Sequence, residues 1–97
     1  MLYYHSKASE GTNRVTVGGD YCEDGLCLVA SRTSDKDNFC RAKGRELVDR
    51  RFKVKRHCIT VPVEQRNGKT FLEVASKLAA LISQDIKFKE NIANYKL

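Results

Sequence analysis

The chain has 97 residues, 41% hydrophobic and 31% charged, with a formal net charge of +6, which matches the size and make-up of one globular domain over residues 1–97. No run approaches the roughly eighteen apolar residues that a membrane span needs. The opening "MLYYHSKASEG" lacks the basic-then-apolar order of a secretory signal, so a cytoplasmic setting with reduced cysteines is expected.

The first third reads as an antiparallel meander of three strands. Turns are predicted at Glu10-Gly11 and Asp24-Gly25, because such pairs supply the positive φ of tight hairpins. A turn at Asp24-Gly25 would set Cys22 against Cys27, Tyr21 against Leu28 and Gly19 against Ala30. One face then collects Val15, Val17, Tyr21, Leu26, Leu28 and Ala30, with Leu2, Tyr4 and Ser6 added by the first hairpin. A slip of one residue would scatter that set over both faces. Tyr3 and His5 fall on the opposite face, away from the expected core. Cys22 and Cys27 would meet at a non-hydrogen-bonded pair, within disulfide range.

The period then becomes helical. Ser34 and Asp37 have the spacing of a capping box. Phe39, Cys40, Gly44, Leu47, Val48 and Phe52 recur at helical spacing to about Lys53. Gly44 costs roughly 1 kcal/mol against alanine in a helix, which predicts a close approach to the sheet. Ile59, Val61 and Val63 alternate as a fourth strand, and Pro62 marks it as an edge or a strand end. "RNG" at Arg66 to Gly68 makes a turn, and Thr70 with Glu73 is read as the capping box of a second helix. The stripe of that helix is Phe71, Leu72, Ala75, Leu78, Ala79, Ile82 and Ile86, with Phe88, Ile92 and Tyr95 in a further turn or two.

The order βββαβα predicts an α+β domain: a three-stranded antiparallel meander plus a fourth strand, with two helices packed on one face. The third strand, first helix and fourth strand also suit one right-handed crossover. That order is similar to the ribonuclease-H-like fold. The first strand supplies no metal-binding aspartate, so the likeness is topological.

The charge is concentrated. Residues 41 to 56 hold eight basic and two acidic residues, which leaves ten of each elsewhere. The whole positive excess therefore lies in sixteen residues, a local electrostatic footprint. Arg41, Arg45 and Asp49 fall four apart on one helical face, Lys43 neighbours Glu46, and Asp49 can pair with Arg45. Arginine outnumbers lysine five to three here, and its planar fork suits phosphate and carboxylate. Arg41, Arg45, Arg50, Arg51, Lys53, Lys55 and Arg56 are the candidate ligand-binding residues. Aromatics able to stack a base are few, and no helix-turn-helix, zinc-finger or RNP pattern appears. Nucleic-acid binding would thus be backbone-directed and salt-sensitive.

The stretch "DNFCRAKGRELVDR", Asp37 to Arg50, resembles helices of small tailed-phage accessory proteins. The resemblance covers about a seventh of the chain. It implies a setting in which such a protein counters host defence by binding a host protein or a nucleotide signal. It departs at Glu46, Leu47 and Val48, where those helices carry small residues.

Cysteines stand at 22, 27, 40 and 58 and histidines at 5 and 57, with no C-x2-C pair, so no metal site is expected. Gly18-Gly19 lies in a strand rather than before a helix and makes no phosphate loop. Asp20, Glu23 and Asp24 read as turn chemistry. The expectation is a non-enzymatic binding protein without cofactor, taking nucleic acid or a nucleotide, as monomer or homodimer and with no membrane partner. The alternative is a regulator or inhibitor that docks its basic face on an acidic host protein.

Overall fold

The computed structural model describes residues 1–6, 14–33, 41–54 and 57–84. Six elements follow in the expected order: β1 (Leu2–His5), β2 (Arg14–Cys22), β3 (Gly25–Thr33), α1 (Arg41–Phe52), β4 (Ile59–Val61) and α2 (Gly68–Gln84). The strands form one antiparallel sheet in the order β1-β2-β3-β4, an α+β arrangement. Because β4 lies antiparallel beside β3, the right-handed parallel crossover considered above is not formed. Among the described residues no helix is long and apolar enough to cross a membrane.

Leu2 pairs with Gly19 and Tyr4 with Val17. This is the register that a hairpin centred on Glu10-Gly11 requires, although that turn lies outside the described residues. The second hairpin differs from expectation. Cys22 pairs with Gly25, Tyr21 with Leu26 and Gly19 with Leu28, so the two turn residues are Glu23 and Asp24. Gly25 opens β3 with φ of +135°, and a Cβ there would overlap the Val61 carbonyl of β4. Glycine is thus required one step later than a simple Asp-Gly turn places it. The displacement amounts to two residues of pairing, so every side chain keeps its face.

The core follows from that face. Val15, Val17, Leu26, Leu28, Ala30 and Ile59 pack against Phe71, Ala75, Leu78, Ala79 and Ile82 of α2, with Tyr4, Tyr21 and Val61 at the margin. Full burial of each large aliphatic or aromatic side chain contributes about 1.5–3 kcal/mol. The cap of α2 is Asn67 rather than Thr70. The Asn67 side-chain oxygen accepts the Thr70 N–H at 2.8 Å, satisfying one of the unpaired donors of the first turn. Tyr21 O–H donates to the Asn67 carbonyl at 2.5 Å, and Arg32 donates to the Ile82 carbonyl at 2.9 Å. The sheet thereby grips both ends of the helix.

The two helices do not share a face. Alternation sends Thr16, Gly18, Val29 and Ser31 to the other side of the sheet, and all four are buried. A Cβ on Gly44 of α1 would overlap the Thr16 hydroxyl, and one on Gly18 would press on Val48 of α1. Helix α1 therefore lies on that second face, and the sheet is sandwiched between α1 and α2. The physical reason is size. Thr16, Gly18 and Ser31 are small enough for the α1 backbone to come close, as Gly44 anticipates.

Candidate functional site

Helix α1 carries the basic segment. Its inward positions are Gly44 and Val48, both buried, flanked by half-buried Leu47, Arg51 and Phe52. At about 100° per residue, Lys43, Glu46 and Arg50 fall on the opposite, solvent-facing side, and all three are exposed. Arg45 is exposed on the flank that overhangs β1, and Lys53 is exposed in the turn that follows the helix.

The charged partners differ from those expected. Glu46 pairs with Arg50 at 2.6 Å, an i,i+4 contact whose side chains are 62% and 71% exposed. Such an exposed pair is worth about 0.3–0.5 kcal/mol, so Arg50 stays available to a competing anion. Asp49 accepts the Tyr3 O–H at 2.6 Å, while the Arg45 guanidinium stands 6.0 Å from the centre of the Tyr3 ring, at the outer limit of a cation–π contact. The Tyr3 hydroxyl is held above its ordinary pKa, first by this hydrogen bond to Asp49, then by burial and the Asp49 charge, with Arg45 opposing.

Of the seven candidates, Arg45, Arg50 and Lys53 are exposed, Arg45 on the β1 flank. Arg51 does not belong with them. Six residues beyond Arg45, it lies about 120° around the helix and donates to the Ala30 carbonyl of β3 at 2.7 Å from a half-buried position. It acts as a strut between helix and sheet. Arg41 opens α1; its side chain, and all of Lys55 and Arg56, lie outside the described residues. Lys43 neighbours Glu46 in the sequence and is not among the seven, but the i,i+4 geometry gives Glu46 to Arg50 and leaves Lys43 on the outer stripe. Its i,i+7 spacing to Arg50 was the available signal.

Tyr3 and His5 are not open platforms for bases. Both lie on the face that α1 covers: Tyr3 is bound to Asp49, and His5 Nδ1 stands 3.0 Å from the Thr16 hydroxyl. Among the described residues no group of three or more His, Cys, Asp or Glu is placed to hold a metal ion. Searches of protein-family models, of curated proteins and of solved structures find nothing that matches this chain.

Proposed function

We propose that this chain is a non-enzymatic binding protein that holds an extended polyanion, a nucleic-acid backbone, along the outer surface of α1. The observation that carries the reading is the row of exposed Lys43, Arg50 and Lys53, with Arg45 exposed on the flank beside it. The ten steps of helix and turn from Lys43 to Lys53 span about 15 Å, which is long for one mononucleotide and suited to successive phosphates. The stripe is convex, as expected of the outside of a helix, and among the described residues the partly covered Tyr3 is the ring beside it. Recognition would rest on the phosphate backbone rather than on base edges.

Fluorescence anisotropy with a 20-base-pair duplex tests this. Three to four phosphate contacts give a slope of about −3 for log affinity against log salt. The Lys43→Glu, Arg50→Glu double variant should bind roughly tenfold or more weakly while keeping its far-UV spectrum. A flat salt response, or unchanged affinity in the double variant, refutes the assignment. Retention of an acidic protein, with no duplex binding at any salt, would move the function to the regulator reading.

A further inference from the structure

The basic helix leaves unexplained a cluster of thiols at the other end of the sheet. Where the β2–β3 turn meets β4 and the last turn of α1, a cleft of ≈ 460 Å³ opens between Asp20, Cys22, Asp24, Cys27, Phe52, Cys58 and Thr60. Three of its lining residues are cysteines, and Cys22 and Cys27 carry free thiols. Cys22 and Cys27 lie diagonally across the hairpin, since Cys22 pairs with Gly25 and Cys27 with Asp20. Alternation puts both side chains on one face, and their sulfurs are 3.0 Å apart. The turn between them is tight, so little chain movement separates this approach from the bonded geometry.

We propose that Cys22 and Cys27 form a thiol–disulfide exchange site, open through this cleft to low-molecular-weight disulfides. The two thiols are not equivalent. Cys22 has the lowered pKa, because the Cys27 thiol hydrogen-bonds to its sulfur and the Asp24 and Gly25 backbone N–H groups add to that, against some burial and the Asp24 charge. Cys27 has the raised pKa, first through burial and then through the same contact, with the Thr60 hydroxyl at 3.4 Å opposing. Thiolates are the attacking species in exchange, so Cys22 is the first nucleophile and Cys27 the resolving thiol.

The steps balance. The Cys22 thiolate attacks one sulfur of the incoming disulfide, forms a mixed disulfide and expels one small thiolate. Cys27 then gives its proton to solvent and attacks the Cys22 sulfur, which closes the protein bridge and expels the second small thiolate. The protein loses two electrons and two protons, and the small disulfide is reduced to two thiols. Cys58 lines the same cleft, but its thiol is directed toward the Phe52 and Val54 carbonyls at 3.8 and 3.9 Å. It serves as an internal control.

The folded full-length chain is incubated with oxidised glutathione, trapped with an alkylating agent and mapped by mass spectrometry. The expected product has lost two hydrogens and links the peptides of Cys22 and Cys27. Cys58→Ser should give the same bridge. Cys27→Ser should stop at one glutathionyl group on Cys22, because the resolving thiol is gone. In the reduced chain, Cys22 should alkylate several-fold faster than Cys27. A bridge that maps to Cys40 or Cys58, or a folded wild-type chain that forms none, overturns the proposal. The wild-type map decides the matter even if a serine variant fails to fold. None of these readouts involves a polyanion, so they stand apart from duplex binding.

Discussion

Two neighbouring arginines of α1 have opposite physical roles. Arg50 faces water and meets Glu46 in a pair that solvent screens. Arg51 reaches back to the sheet and satisfies the Ala30 carbonyl at 2.7 Å. A hydrogen bond from a charged donor to a partly buried acceptor contributes about 1.5–3 kcal/mol, and its loss leaves that acceptor short of a partner. Arg51→Glu should therefore lower unfolding stability by about 2 kcal/mol, whereas Arg50→Glu should stay within about 0.5 kcal/mol of wild type. Urea titration of both variants checks this, and equal midpoints would remove the strut role from Arg51. Charge reversal at Arg45 and Arg51 together would thus mix a binding effect with a folding defect, which makes Lys43 and Arg50 the cleaner pair. Composition showed that this stretch is basic. It did not show which cations are free, because that depends on which side of the helix meets the sheet.

At the scale of elements, the attachment of α1 explains what could and could not be read in advance. The β2 and β3 face against α2 was legible because Val15, Val17, Leu26, Leu28 and Ala30 alternate as apolar residues. The same alternation made Thr16, Gly18 and Ser31 look like a wet face. They are buried beneath α1, in an interface built from small residues, close backbones and polar contacts, which hydropathy does not register. The turn sits at Glu23-Asp24, one residue before the pair the sequence predicts, because Gly25 answers to β4, an element distant in sequence. The polar part of the α1 attachment has a pH signature. Tyr3 has its pKa raised above the usual value near 10, so the folded state holds this proton more tightly than the unfolded chain. By linkage the contribution is fully present below pH ~10 and is lost as pH rises through the folded value. Unfolding stability should therefore decline above pH ~10. Asp49→Asn, which removes the charged acceptor, should reduce the slope of that decline. An identical slope in the variant would show that the Tyr3–Asp49 contact is not what ties α1 to β1.

For the molecule as a whole, the sheet divides two unequal layers. The α2 side buries Phe71, Leu78 and Ile82 against six apolar strand residues and is held at both ends by Tyr21 and Arg32. The α1 side buries Val48 and Val29 among glycines, a threonine and a serine. Apolar burial scales with area, so the α1 layer is the weaker one. Local opening follows local stability, which places α1 at the low end and β2, β3 and α2 near the global limit. Native-state hydrogen exchange should then show α1 amides opening at a lower free energy than those of β2 and β3, with a gap of about 1–3 kcal/mol. If the outer stripe of α1 carries the ligand, a saturating duplex should slow exchange in α1 most, because binding energy is added to the element that opens most easily. Uniform protection across both layers in the free protein would contradict the unequal-layer account. Slowing confined to the strands or to α2 on adding duplex would show that the polyanion binds elsewhere.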